Sequence, residues 1–402
     1  MCNVTFPAAF PKPLLDRDEI VNVLITCAGR RNYLVKFFQE ALGGRGEVFA
    51  ADASADAPAL QQADKSFKLP PSNQTAYIET LLTLCQRNSV LLLLSLNDLE
   101  LPILARHSAR FRSVGTIPVI SSPEVVDLCF DKWWTFKFLK SSNLEAPNTY
   151  LSLAETQAAL TRGDISFPLV VKPRWGTASI GIQYPEDDEE LQLDYALAKK
   201  RHARTILREI NASDPEKCIL IQRRVCGQEY GLDVINDLEG HYVCTLVKQK
   251  VGMRAGETDR ARTIKSSRLE RVGEMIGRRL GHIGVLDCDA ILTEDGCYVL
   301  DMNPRFGGGY PFSHIAGANL PAVLLAWAKG ERPDPHWLTV EPGIMASKYD
   351  DLVVVNTGPQ LRPGKDRFDP LEQNSLVSVH RQTGNAPPDC LFQGGWNDRT
   401  DM

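Results

Sequence analysis

The sequence predicts a mixed α/β and α+β chain: a lobe with a parallel sheet, then a lobe built on antiparallel sheets, then a small C-terminal portion. Three observations lead there. Up to about residue 125, short apolar runs alternate with amphipathic helical stretches, the pattern of strand–helix crossovers. From Cys218 to Gln249, and again from Leu286 to Arg305, apolar runs are separated by polar turns rather than helices, as antiparallel strands require. The chain has 402 residues, 43% of them hydrophobic, which is more than one ordinary core accommodates, so two or three packed modules are expected.

In order along the chain, Val21 to Thr26 reads as a strand, Ala28-Gly29-Arg30-Arg31 as a tight turn and Tyr33 to Leu42 as an amphipathic helix. A strand from Val48 to Ala51 ends in Asp52; Thr75 to Arg87 reads as a helix, Ser89 to Ser95 as a buried strand, Leu99 to Phe111 as a helix and Val119-Ile120 as the start of a strand. This stretch, about 20–125, is predicted to be Rossmann-like. Its turn holds one glycine where a dinucleotide fingerprint needs three, which argues against NAD.

The second half is predicted to contain a helix at Asp131 to Ser142, a strand at Leu169 to Lys172, a loop of small residues from Arg174 to Gly181 and an acidic helical stretch reaching Ile210. Strands follow at Cys218 to Arg223, Tyr230 to Ile235 and His241 to Gln249, then a helix from Arg268 to Leu280. Leu286 to Leu292 and Tyr298 to Asn303, joined by Thr293-Glu294-Asp295-Gly296, form a hairpin. Past Glu331 the chain turns Pro-rich and polar, with one expected strand at Leu352 to Val355.

Composition narrows the partners. A net charge of −5 and 24% charged residues give no polybasic surface, so nucleic acid and membrane are not expected and a small molecule is. With no apolar run of about 18 residues and no apolar leader, a cytoplasmic location is expected. Ten Cys without a CxxC pair read as reduced core residues.

Four constellations carry chemistry. Lys172, at a strand end, precedes Gly176-Thr177-Ala178-Ser179-Ile180-Gly181; an ammonium and loop N–H groups together suit a chain of phosphates. Asp131-Lys132 opens a helix, with Asp131 suited to cap it. The strand Ile219 to Arg223 breaks at Arg224-Val225-Cys226-Gly227, exposing backbone groups that can read an adenine edge, and Glu229 follows with acceptors for ribose hydroxyls. The hairpin places Asp287, Asp289, Asp301 and Asn303 among apolar strand residues, where carboxylates are costly without a cation. Hard oxygen donors on adjacent strands outline a Mg2+ site facing phosphates, with Arg305 just beyond. For a substrate, Arg254 or Arg262 is expected to bind a carboxylate and Glu257 an amine. Arg30, Asn97, Asp98 and Glu100 are weaker candidates for that pocket, and His314 is expected to be structural.

In this order, Lys132, Lys172, the glycine loop, the Gln222-to-Glu229 stretch, Asp289, Asp301, Asn303 and Arg305 resemble the ATP-grasp superfamily, over about residues 20–330. The likeness is to the branch of biotin carboxylase, the carbamoyl-phosphate synthase large subunit and D-alanine–D-alanine ligase, and Asn303-Pro304-Arg305 is its most specific part. The resemblance implies a Rossmann-like pre-ATP-grasp domain at about 20–125, an ATP-grasp domain at about 126–330 with a lid at about 145–225, and a C-terminal subdomain and tail at about 331–402.

It implies that Lys132 and Lys172 reach the α and β phosphates of ATP, that Gly176, Thr177, Ala178, Ser179 and Gly181 close over the phosphates, that Gln222 with the backbone of Arg223, Arg224 and Val225 clamps adenine, and that Glu229 holds ribose. Asp301, Asn303 and Asp289, or Asp287 in its place, would bind Mg2+, for which Mn2+ can substitute. Arg305, Lys172 and Arg262 would serve the chemistry. Gln222 and Asp301 stand where the family often has Glu, adjusting a hydrogen bond and a reach. The implied activity is an ATP-dependent carboxylate–amine ligase acting through an acyl phosphate, with a small acid and an amine as substrates and a homodimer as the expected assembly. Alternatives are phosphorylation of a carboxylate or carbamate, and a catalytically silent nucleotide-binding regulator.

Overall fold

A computed structural model describes residues 20–176, 181–202 and 214–355. β1 (Asn22–Thr26), β2 (Val48–Asp52), β3 (Lys65–Lys68), β4 (Val90–Ser95) and β5 (Ile117–Pro118) form a parallel sheet in the order β3-β2-β1-β4-β5. Its central strands are apolar between their polar ends because helices cover both faces, and Val23, Leu24, Ile25, Leu92 and Leu93 are fully buried. Helix Asn32–Leu42 turns Leu34, Val35, Phe38 and Leu42 inward at helical spacing and ends on Gly43, whose φ of 56° is left-handed.

Helix Lys132–Ser141 leads into the second lobe. There β6 (Thr149–Tyr150), β7 (Leu169–Pro173) and β8 (Ile219–Arg223) make an antiparallel sheet in the order β6-β8-β7. A six-stranded sheet follows, in the order β13-β12-β9-β10-β11-β14. Its strands are β9 (Gln228–Asn236), β10 (Tyr242–Arg254), β11 (Glu257–Ile264), β12 (Gly284–Leu292), β13 (Cys297–Asn303) and β14 (Met345–Ser347). Helix Ser267–Leu280 buries Leu269, Val272, Ile276 and Leu280 against Leu232, Val234, Val247, Leu286 and Cys288. One face of the large sheet is therefore core, and the other is left for polar work.

The structure corrects several expectations. The 99–111 helix is two, Leu101–Arg106 and Ser108–Ser113, parted where His107 leaves helical geometry (φ −112°, ψ 8°). The last strand of the first sheet is Ile117–Pro118, two residues before the expected one. Strand β3, helix Pro58–Gln62 and helix Leu153–Arg162 were not foreseen, and the polar 254–262 segment is the end of one hairpin strand and most of the next. Residues 352–355 are no strand; Leu352 is 98% exposed. Nor does the described part of 331–355 close on itself: Leu338 packs into a core shared with the first lobe, and β14 pairs with β11. Residues 356–402 lie outside the described part.

Candidate nucleotide and metal site

Residues directly opposite in neighbouring strands share a face. Asp287 is opposite both Asp233 and Asn303, and Asp289 is opposite Gly231 and Asp301. These acidic and amide side chains thus project together from the face that helix Ser267–Leu280 does not cover. Each carboxylate has a cation close by, as buried charge demands. Lys248 Nζ lies 2.6 Å from Asp233, Lys250 Nζ 2.6 Å from both Asp289 and Glu229, and Lys132 Nζ 2.9 and 3.0 Å from the two oxygens of Asp301. Burial and the neighbouring Asp289 push the Asp287 carboxyl up to about 6 despite Arg305. Gly307 packs on that carboxylate so closely that a Cβ there would stand 2.1 Å from its carbon, which restricts the position to glycine.

The smaller sheet faces this charge with its own polar side. Lys172 is opposite Leu220, and Gln222 is opposite Val170 and Thr149, whereas Leu169, Val171, Ile219 and Ile221 belong to the core on the other face. Lys172 is 7% exposed. Burial first and then the like charge of Lys132 press its ammonium down to about 8, against the pull of Asp301 and Asp289.

Asp131 and Arg174, each adjacent or nearly so to one of these lysines in sequence, are joined by a buried bidentate pair at 2.7–3.0 Å. Asp131 also caps its helix by accepting from Trp133 N at 2.9 Å, and Lys132 N donates to Arg174 O at 3.1 Å. The two lysines are thereby fixed relative to each other.

Arg305 donates to both oxygens of Asp98, on the loop after β4, and its Nη1 lies 3.6 Å from Asp287. Burial would lower the guanidinium's proton affinity, but Asp98 and Asp287 raise it above the usual value.

The structure thus brings together Lys132, Lys172, Glu229, Asp287, Asp289, Asp301, Asn303 and Arg305. Gly176 and Gly181 flank Pro173 at the loop base, and Thr177, Ala178 and Ser179 lie outside the described residues. Gln222 donates to Thr149 Oγ1 at 2.8 Å, while Arg223 and Arg224 rest over the rings of Tyr298 and Tyr184 where the chain passes from one sheet to the other. Val225 beside them is buried.

Two of the residues expected to bind substrate, Arg254 and Arg262, are engaged by other partners in the structure. Arg262 is opposite Gln249, which is opposite Tyr230, and so sits on the helix-covered face; its Nη2 contacts Met345 Sδ at 3.6 Å. Arg254 is held at the hairpin tip by Asp350 at 2.7 Å and Asp259 at 3.0 Å. Glu257 does lie by the site, 3.1 Å from Lys348 and 3.7 Å from Arg31. His314 stacks on Phe37 with ring centroids 3.6 Å apart, as a packing residue would.

Lys248, Lys250 and Asp233 were missed, although Lys248-Gln249-Lys250 carries the same two-residue spacing of charge that exposed Asp287 and Asp289, and Glu229 and Asp233, four residues apart, also fall on one face of a strand.

The donor set suits a hard cation: Mg2+ takes one or two carboxylates and completes its shell with phosphate oxygens and water, and Asp289, Asp301 and Asn303 offer only oxygen and amide donors. Among the described residues, the one group whose three ligand atoms already converge is Asp237, Glu239 and His241, in the β9–β10 turn, where Asp237 Oδ1 accepts from two backbone N–H groups of that turn.

The chain's likenesses to known proteins agree with this geometry. Residues 129–309 match the family model described as ATP-grasp domain, and residues 23–120 the one described as PylC-like, N-terminal domain. The carbamoyl phosphate synthase large chain of Mycobacterium sp. (strain JLS) is 26% identical over 259 residues, which is 62% of this chain and 22% of that protein. The chain spans about a fifth of the length of such relatives. Among solved structures, the L-amino acid ligase from Bacillus licheniformis superposes with a TM-score of 0.63 at 20% identity, covering 85% of this chain and 82% of the other. The biotin carboxylase domain of Hydrogenobacter thermophilus 2-oxoglutarate carboxylase, solved with MgADP and bicarbonate, gives 0.63 at 16% identity, covering 81% and 73%. At these identities the superpositions speak to fold.

Proposed function

Since the chain belongs to the ATP-grasp superfamily, we infer that it is an ATP- and Mg2+-dependent ligase that activates a small carboxylic or amino acid as an acyl phosphate and delivers it to an amine. The observation that carries this reading is the meeting of Lys132 and Lys172 with the acidic face of β12 and β13 beside Arg305. Such a cleft sets cations for a polyphosphate beside carboxylates for a divalent ion.

A carboxylate resists attack because its leaving group would be oxide. In the proposed reaction a carboxylate oxygen takes the γ-phosphoryl group and ADP departs; the amine then attacks the acyl carbon and inorganic phosphate leaves with the former carboxylate oxygen. Charge neutralisation and positioning supply the acceleration, so no nucleophilic side chain is needed. Lys132 and Lys172 would hold the nucleotide phosphates, Glu229 the ribose, and Arg305 would face the charge that develops on the transferred group. Magnesium, bound by Asp289, Asp301 and Asn303, would offset phosphate charge.

The name of the curated relatives favours one second reading, phosphorylation of a carboxylate or carbamate with no amine. Incubation with Mg-ATP and acids and amines, singly and paired, separates the two. ADP release that requires both substrates supports the ligase; release with one acid alone supports the second reading. No substrate-dependent release would leave the silent regulator standing.

A further inference from the structure

Beneath the segment that follows Arg305 lies a pair of charges that the proposed reaction does not use. Lys248 and Asp233, on β10 and β9, are 1% and 0% exposed, and Lys248 Nζ donates to Asp233 Oδ2 at 2.6 Å. Ser313, in helix Tyr310–Ile315, closes a ring: it donates to the same oxygen at 2.6 Å and accepts from Lys248 Nζ at 3.3 Å. Asp233 Oδ1 has no hydrogen-bond partner among the described residues. A buried ion pair is a weak source of stability, since apolar side chains of similar volume often serve as well or better, and an orphaned carboxylate oxygen weakens it further. Its position says more about what it does.

Lys248 runs over Gly231, its partner on the neighbouring strand, where a Cβ would stand 3.2 Å from Lys248 Cε. Gly309 covers the lysine from the other side, where a Cβ would stand 2.7 Å from the same atom. Gly307, Gly308 and Gly309 thus each meet a charged side chain of the large sheet: Asp287 of β12, Glu257 of β11 and Lys248 of β10. None of the three has a left-handed φ, so close approach to the sheet is what calls for glycine there. Such a segment brings no side chains of its own with which to hold a position. Strand β13 fixes the chain ahead of Arg305, and the ring at Ser313 pins it beyond the glycines. We propose that Lys248, Asp233 and Ser313 are positioning residues, which clamp the glycine segment to the sheet and so hold the backbone that carries Arg305 where its guanidinium meets the γ-phosphoryl group of a bound nucleotide. Asp98 orients the guanidinium, and the buried ring sets the root of its side chain. From the ligase reading above, on which this rests, it takes only that Arg305 faces the γ-phosphoryl group.

The test is calorimetric binding of Mg-ADP and of Mg-AMP-PNP, a non-hydrolysable ATP analogue, to the full chain, with urea unfolding measured alongside. Lys248→Met strands a buried carboxylate and risks unfolding, so Ser313→Ala is the decisive variant: it removes one hydroxyl and leaves the ion pair. It should cut the preference for AMP-PNP over ADP by about 5-fold or more while ADP affinity holds within about 2-fold. Gly309→Ala, which presses on the lysine from the loop side, should do the same. In an Arg305→Lys background the loss from Ser313→Ala should shrink below about 2-fold, because residues that act through one another are not additive. A less stable Ser313→Ala protein that keeps the preference, or losses that add in the double variant, would mark the ring as structural only and overturn the proposal. So would an unaltered protein with no preference for AMP-PNP. ADP release separates this from the parent reading. Release that Ser313→Ala leaves unchanged sinks the clamp and leaves the ligase. A preference for AMP-PNP that needs Ser313, with no ADP release from any pair of acid and amine, sinks the ligase and leaves the clamp.

Discussion

Asp98 and Arg305 stand 207 positions apart and meet through two hydrogen bonds of 2.7 and 2.8 Å, both side chains only 8% exposed. The guanidinium that would meet the transferred phosphoryl group is thus held by a carboxylate of the first lobe. Asp98→Asn is expected to cost on the order of 3 kcal/mol of stability, read from urea unfolding, because it strips the main partner from a buried cation. Substrate-dependent ADP release should fall at least about 10-fold in kcat, with nucleotide affinity changed little. Unchanged turnover would free Arg305 of this dependence.

Asp301→Ala should abolish magnesium-dependent ADP release, by about 100-fold or more, while leaving the fold intact, since Asp301 is a quarter exposed and bonded chiefly to Lys132. Excess EDTA should do the same to the unaltered protein. Residual turnover within a few-fold of the unaltered protein would remove Asp301 from the metal set.

Lys172 gives a pH signature. Its ammonium is favourable to a polyphosphate only while protonated, so nucleotide affinity of the protein should decline as pH rises past about 8. Folding shows the opposite trend. Burial places the folded pKa, about 8, below the ordinary lysine value of 10.5, so the penalty for burying the charge is full below about 8 and is relieved as pH climbs to 10.5. Lys172→Arg should flatten the affinity profile; titration of Mg-ADP by fluorescence or calorimetry from pH 7 to 10 checks it.

The Asp131–Arg174 pair is nine-tenths buried and bidentate. Replacing either side alone, as in Asp131→Ala, should lower stability by about 3–5 kcal/mol and raise the KM for ATP more than it lowers kcat, because the spacing of Lys132 and Lys172 loosens. Thermal unfolding and ATP saturation curves measured together test it; a KM that stays put would show that the lysines do not need this brace.

Arg262→Ala serves as the contrasting case. On the far face of the large sheet it should leave kcat/KM within about two-fold. A loss near that of Asp301→Ala would mean that substrate reaches the other side.

How much of this was legible depended on where a charge stood against its background. Asp287, Asp289 and Asp301 were visible because carboxylates break apolar strand runs, and Lys172 because it ends one. Lys250 was hidden by Gln249 and Gly252, polar or small neighbours that dilute the alternation. Arg262 was misjudged because a strand's parity depends on irregularities such as the register shifts between Lys250 and Met253, which no local pattern announces. Arg31 and Glu257 come from segments more than 200 positions apart, so only the folded chain brings them together. The apolar run at Leu352 looked like a strand for want of any sign that no neighbour would pair with it.

The first lobe does more than precede the cleft. Arg31 ties Leu96 O to Phe306 O, and Asp98 holds Arg305, so two consecutive residues in the middle of the Asn303–Gly309 segment are stitched across a boundary at which the chain looks divisible. A fragment starting near residue 126 would retain the paired lysines and every acidic strand, yet would leave a guanidinium without its bidentate partner and a loop without its anchor. Modular in architecture, the protein is indivisible in its chemistry, and exchange of first lobes between relatives would have to carry matching residues at 31 and 98 or forfeit the site.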